Sequence, residues 1–421
     1  MNLLLYFPVL SLCDKWAILI AGSSSFKNYR HQSDVFTLYQ ILTLRGFPKD
    51  HIITFAYDDI ALDSHNPTKG EIYNEAKGVN VYPGSDAISY RGKNVTVSNV
   101  FDCLLGKSTF GPNLLSTSND DVLIYFNDHG APGTLALPRI DPDNSKMFAN
   151  ELNDVLQEMN NQKKFKKLLF VIEACESGSV GEVIQVPNVL TITASNALES
   201  SRAYKWDDEM ETFLSNIFTF YLFDFICHNS NKTIHDLYNF TKGKTFKSEV
   251  CYFGDKEILN MNVSDFFGKA NGQFPLRNSQ KYTVKKNGKH FGTASKIVFL
   301  SILKRKLKKS SDENEKKRLT KAINNEQIKR KKSDESYQTL LSQMMPNKKS
   351  KSNTAKSLKT QILDWKCYKE AVIGAEKLTG PYKEYSYKNL WAFAKLCNHY
   401  HNSETILNNF KKIIKANNSV N

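Results

Sequence analysis

The sequence predicts an α/β fold, a mostly parallel sheet covered by helices on both faces, with a small all-helical domain after it. Three observations predict it. Apolar runs such as "WAILIAGS", "DVLIYF" and "KLLFVI" are unbroken rather than alternating, as in strands buried on both faces. Helix-patterned stretches separate those runs, the rhythm of a parallel sheet. Past residue 270 the chain turns strongly basic, and aromatic residues return only near its end.

The elements follow in order. Residues 1–13, "MNLLLYFPVLSLC", are apolar and carry Ser11 and Cys13 at plausible −3 and −1 positions, so a short signal peptide is expected there. The α/β unit is expected over 14–270. It comprises a strand at 16–23, a helix at 33–46 ending on Gly46 and a strand at 51–58. An irregular Gly/Pro-punctuated stretch covers 59–95. A strand at 121–128, a helix at 148–159, strands at 167–174 and 189–195, and an aromatic-rich helix at 211–228 complete it. Residues 271–357 form a basic segment with a charged helix at 300–345 and a linker at 346–357. Residues 358–421 read as helices, built on "ILDWKCYKEAV", "YSYKNLWAFAKLC" and "TILNNFKKII".

The net charge of +14 is concentrated. Residues 281–360 hold 23 Lys/Arg and 6 Asp/Glu, whereas the rest of the chain holds 34 and 37. A basic segment can bind nucleic acid, but no RNA-binding motif or zinc finger accompanies this one, and a secretory start argues against that partner. The longest later apolar run, 213–227, is interrupted by Asn216 and Asp224, which argues against a membrane span. Glycosylation triplets at Asn94, Asn231, Asn239, Asn262 and Asn417 agree with secretion. The seven cysteines are too scattered for a disulfide scaffold.

Chemistry collects beyond the carboxyl ends of strands in such sheets. Three strand ends carry polar, unusual sequences: "SSFKNYRHQSD" after strand 16–23, "NDHGAPG" with His129 and "EACESGS" with Cys175. Neighbouring strands lie about 5 Å apart, so an imidazole and a thiol on adjacent tips share one site. An imidazolium there would stabilise a Cys175 thiolate against the flanking Glu173 and Glu176. The 46-residue interval between His129 and Cys175 is close to the roughly 50 of caspases. No zinc-type ligand spacing surrounds either residue, so neither a metal nor an organic cofactor is expected.

The blocks "FKNYRHQSDVFTLYQIL", "FAYDDIALDSHNPTKG", "YFNDHGAPG" and "FVIEACESGS" resemble legumain, the asparaginyl endopeptidase family of caspase-like cysteine proteases. Fainter similarity runs through "ILKRKL" to "DWKCYKEAV" and "YSYKNLWAFAKLC", which resemble the family's activation segment and death-domain-like prodomain. The resemblance implies a caspase-like fold and a zymogen whose prodomain is an intramolecular inhibitor released at acidic pH. It implies peptide substrates cut after Asn, with Asp admitted at low pH, in a lysosome, a vacuole or outside the cell.

By the same resemblance Cys175 is the nucleophile, His129 the general base and acid, and Asn28 its orienting partner. The N–H groups of Gly130 and Cys175 form an oxyanion hole. Asp128 stands where the family's succinimide, tied to ligase activity, forms. Arg30, His31, Glu173 and Ser201 match the pocket that reads the Asn carboxamide. Asn216 falls where the family has a second pocket acid, so Asp207 or Asp208 is a candidate to compensate. The four prodomain cysteines of the family are reduced to Cys367 and Cys397, which are expected to pair. With Lys309 near the usual self-cleavage position, Asn314, Asn324, Asn325 and Asp312 become the candidate sites. Two rival readings stay open, the catalytic subunit of GPI-anchor transamidase and an inactive homologue that only binds. "VSDFFG" (263–268) leans toward the first, and intact Asn28, His129 and Cys175 argue against the second.

Overall fold

A computed structural model describes residues 14–269, 291–346 and 361–419, so the expected signal peptide and most of the expected linker lie outside the described residues. A seven-stranded sheet forms the centre. Its strands are β1 (Lys15–Ala21), β2 (Ile52–Ala56), β3 (Tyr90–Arg91), β4 (Asp121–Asn127), β5 (Lys167–Glu173), β6 (Val189–Thr193) and β7 (Cys251–Gly254), ordered β7-β6-β5-β4-β1-β2-β3. All neighbours are parallel except β7, which runs antiparallel to β6.

Each central strand is apolar on both sides because both faces are covered. Ala17, Leu19 and Ala21 of β1 join a core with α1 (Tyr29–Leu44), α4 (Ile217–His228) and α5 (Ile234–Lys244). Trp16, Ile18 and Ile20 face the opposite core with α2 (Val97–Leu105) and α3 (Ala149–Asn161). Each fully buried aliphatic or aromatic side chain contributes about 1.5–3 kcal/mol, so these two cores dominate the stability of the unit.

Several elements differ from expectation. Helix α1 starts at Tyr29, not 33, taking in Tyr29–Gln32 ahead of the expected start, and it buries Arg30, His31, Gln32, Ser33 and Asp34. The stretch 211–228 is not one helix. Its first part, Thr212–Asn216, is a strand paired antiparallel with Arg202–Asp207, and α4 begins only at Ile217. The charged stretch 300–345 is two helices, α6 (Val298–Lys309) and α7 (Glu313–Met344), broken where Asp312 caps the second by accepting from Asn314 N–H at 2.9 Å.

After α7 come α8 (Trp365–Thr379), α9 (Trp391–Tyr400) and α10 (Ser403–Ser419). Cys367 on α8 and Cys397 on α9 are disulfide-bonded. Tyr337, Leu340 and Met344 of α7 share a core with these helices, so the C-terminal helical core takes in the end of the charged helix expected at 300–345. That core also takes in Ala131, Ala136 and Phe148 of the α/β unit. The two units are packed together, not strung apart.

Candidate active site

Strands β4 and β5 pair in register up to Asn127 opposite Glu173, so Asp128–His129–Gly130 and Ala174–Cys175 leave the sheet side by side. A Cβ on Gly130 would lie 2.0 Å from the Cys175 carbonyl oxygen, and only glycine permits that approach. Beyond the cysteine, Glu176 takes a left-handed conformation (φ 55°), held by its N–H donating to Glu199 O at 2.7 Å. Both tips are thereby fixed by backbone.

The Cys175 sulfur lies 3.1 Å from Ser200 Oγ and 3.8 Å from Ser201 Oγ. His129 Nε2 lies 3.1 Å from Asn28 Oδ1, while Asn28 Nδ2 donates to Ser24 O at 3.1 Å. That second bond turns the amide oxygen toward the ring, so Nε2–H donates and Nδ1 keeps its lone pair. Ring and thiol form no direct hydrogen bond among the described residues. Burial pushes the Cys175 thiol up; the Ser200 hydroxyl lowers it and the Glu176 charge raises it again. Burial also pushes His129 down to about 3. The resting pair is an uncharged thiol and an uncharged imidazole, because a covered, dry site disfavours both charges. The imidazolium-stabilised thiolate expected from the sequence is therefore not the state of the covered site.

The cover comes from the C-terminal half of the chain. Glu384 reaches Lys27 at 2.9 Å and Arg139 at 3.5 Å, and the Tyr387 ring centroid lies 6.4 Å from that of His129. Between Asn28, His129, Phe299 and Glu384 remains a gap of about 10 Å³, room for no more than about one water. Thr293–Ala294 pairs antiparallel with Arg202–Ala203, and Ser295 N–H donates to Ser201 O at 2.9 Å. A peptide adding a strand to that edge would take the same lane.

The polarity of this contact is mixed. Lys306 and Lys309 of α6 do pair with Glu211. Over the cleft the signs reverse, with Glu384 on Lys27 and Arg139, and elsewhere Glu376 pairs with the buried Lys146.

The pocket residues converge behind the tips. Arg30 is fully buried; its Nε donates to Asn216 Oδ1 at 3.0 Å, and neither Nη has a hydrogen-bond partner. Asn216 donates in turn to Asp34 Oδ2 at 2.9 Å, and Asp34 also accepts from Asn74, Asn127 and Ser215. Glu173 Oε2 accepts from Thr219 while Oε1 has no partner, and burial, with the charge of Asp34 adding, raises Glu173 to about 8. Ser201 is beside the thiol. Asp207 and Asp208 are instead engaged locally, accepting from Met210 N–H and from Trp206 Nε1–H. The acid behind Asn216 is Asp34.

Sequence reasoning missed Asp34, Ser200 and Glu384. Asp34 was hidden by its place in a helix whose polar face is buried. The signal for Ser200 was its adjacency to Ser201. His31 adds one further fact. Its Nε2 lies 3.7 Å from Asp128 Oδ1, and His129 Nε2 lies 3.9 Å from the same oxygen, a group with metal-ligand spacing.

Residues 15–269 match the model of the peptidase C13 family, and residues 321–413 match that of the legumain prodomain. The chain is 32% identical over 412 residues to the vacuolar-processing enzyme delta-isozyme of Arabidopsis thaliana, covering 91% of this chain and 86% of that protein. It is 32% identical over 398 residues to legumain of Homo sapiens, covering 91% and 88%. It is 34% identical over 342 residues to a hemoglobinase of Schistosoma mansoni, covering 75% and 77%.

Proposed function

The chain belongs to the peptidase C13 family of cysteine peptidases, and from that premise we propose that it is an asparaginyl endopeptidase made as an acid-released zymogen. One observation carries the specificity. A fully buried guanidinium has two unpartnered Nη groups, and Glu173, whose charge reaches it, has an unpartnered buried oxygen. A carboxamide needs a donor for its oxygen and an acceptor for its NH₂, and a substrate Asn supplies both missing partners. A site with unmet buried polar groups rejects side chains that cannot satisfy them.

In the reaction, His129 Nδ1 takes the Cys175 proton and the sulfur attacks the scissile carbonyl. The N–H groups of Gly130 and Cys175 hold the oxyanion. Collapse breaks the C–N bond, with His129 returning the proton to the leaving amine. Water, deprotonated by the same ring, then cleaves the thioester. Asp128, buried beside the ring, is the residue proposed for succinimide formation and peptide ligation.

The helical unit and residues 293–295 act as the intramolecular inhibitor, a role supported by the covered cleft and the prodomain match. Asp312, Asn314, Asn324 and Asn325 are the candidate self-cleavage positions. Asn94, Asn231, Asn239 and Asn262 are exposed, as glycosylation in a secretory pathway requires. The vacuolar name of one relative supports an acidic destination. Among the described residues, no helix is long and apolar enough to cross a membrane.

The test is hydrolysis of an Ala-Ala-Asn fluorogenic peptide after incubation at about pH 4–5. Turnover lost in Cys175→Ala supports the reading. An acid-treated chain that cuts neither Asn nor Asp peptides overturns it.

A further inference from the structure

His31, Asp128 and His129 serve one reaction site in the reading above, yet their arrangement contains something that reading does not use. His31 Nδ1 lies 2.7 Å from Asn127 Oδ1. Asn127 Nδ2 donates to Asp34 and to the Tyr125 hydroxyl, so its oxygen faces His31 and the ring proton sits on Nδ1. The Nε2 lone pair of His31 is therefore free, buried and unpartnered, and so is Asp128 Oδ1. An imidazole whose far nitrogen donates to a fixed carbonyl is how metal-binding histidines are oriented.

We propose that His31 Nε2, Asp128 Oδ1 and His129 Nε2 form a site for a divalent transition-metal ion, with zinc as the best fit. All three ligand atoms lie within 4.8 Å of one another, and the two nitrogens stand 3.7 and 3.9 Å from the oxygen. Zinc bound at about 2.0–2.2 Å by N and O ligands needs them only somewhat closer, a contraction that side-chain rotation supplies. Two imidazoles with one carboxylate select zinc or copper over magnesium or calcium, which seek oxygen. Arg30 and Arg139, whose charges reach Asp128, further disfavour a cation held by that one carboxylate alone.

A fourth position is available from Asn28 Oδ1, which already faces His129 Nε2, or from water. Gly22 makes the seat for Asp128, since a Cβ there would fall 2.9 Å from Oδ2. On binding, the proton on His129 Nε2 moves to Nδ1, and the hydrogen bond to Asn28 is replaced by the bond to the metal. The Nδ1 lone pair is consumed in that exchange. Bound zinc therefore withholds the base from the thiol. That consequence rests on the proposed function; the binding itself does not.

The binding test uses the full-length untagged chain as Cys175→Ala, which removes both self-cleavage and the thiol as a ligand. Zinc is titrated at about pH 7.5 against a chromophoric chelator. We expect one saturable equivalent, with affinity at least about tenfold lower when His31→Gln is added. No saturable equivalent, or one that His31→Gln leaves unchanged in a folded chain, overturns the site. Zinc-edge X-ray absorption on the Cys175→Ala chain gives a reading independent of that second variant. Two imidazole nitrogens with oxygen support the site; a single imidazole or none contradicts it. Reversible zinc inhibition of peptide hydrolysis by the acid-processed chain is the separate test of the catalytic consequence.

Discussion

The proposed specificity pocket and the proposed reaction centre share the tips of β4 and β5, and the covered chain treats them in opposite ways. Behind Arg30 the network of Asn216, Asp34, Asn74, Asn127 and Ser215 is closed by hydrogen bonds, and only its front, the two Nη groups and Glu173 Oε1, lacks partners. On the proposed reading, recognition is preorganised before release. At the centre, Cys175 and His129 are held by their own neighbours, Ser200 and Asn28, with no bond to each other. Both are uncharged under the cover. Activation therefore has to uncover a centre and need not build a pocket.

The strongest way to break this contrast is Cys175→Ala. It should remove turnover by at least about 10³-fold, with the melting temperature and the pocket unchanged. Residual hydrolysis above that level would place the nucleophile elsewhere. Arg30→Lys comes next and separates the two halves. A point charge replaces the fork, so kcat/KM on Asn peptides should fall by about 10²–10³. Alkylation of Cys175 in the acid-released enzyme should keep its rate. Equal losses in both would mean that pocket and centre are not independent.

These two halves were not equally legible in the sequence. His-Gly and Glu-Ala-Cys at the ends of unbroken apolar strands mark a reaction centre, because strand tips are where an open parallel sheet exposes side chains. The pocket's floor was opaque for a physical reason. Helix α1 opens with Arg30 to Asp34 all buried, and a helix polar on its buried side has no amphipathic pattern to read. The strand Thr212–Asn216 reads as part of α4 because the two are contiguous and no Gly or Pro separates them. The cover was half legible. Net charge pointed to the basic segment that contains Lys306 and Lys309, but Glu384, an acid beyond that segment, carried no such signal.

Glu384→Gln sharpens the contrast through pH. Burial raises the Glu384 carboxyl, but the charges of His129, Lys27 and Arg139 outweigh it and hold it well below the usual carboxylate range. With His129 uncharged at neutral pH, Lys27 and Arg139 carry that effect. A depressed carboxylate contributes docking above its free value of about 4.3 and loses it as pH falls. His129 works in the same direction. Its covered value of about 3 lies below a free value of about 6.5, so docking is full above about 6.5 and weakens on acidification. Glu176, raised to about 8 by burial, opposes the release. Glu384→Gln removes one acid-sensitive contact, and the midpoint of activation should move toward neutral by about 0.5–1 pH unit. An unmoved midpoint would assign the trigger elsewhere.

The smallest effect concerns the helical unit alone. Breaking Cys367–Cys397, which closes a 30-residue span, should destabilise that unit by about 3–4 kcal/mol. Activity should leak at neutral pH, while kcat/KM of the fully released enzyme stays the same. A changed kcat/KM would show that the helical unit shapes the pocket as well as covering the centre.

The most direct measurement is the alkylation rate of Cys175 by iodoacetamide, followed by mass spectrometry so that Cys103, Cys227 and Cys251 are resolved from it. In the covered chain at neutral pH, Cys175 should react no faster than those buried or hindered thiols. After acid release, assayed at the same pH, it should react at least about tenfold faster, as a thiol next to an uncovered imidazole does. Equal rates before and after release would contradict the account, because the centre would then have been competent under its cover all along.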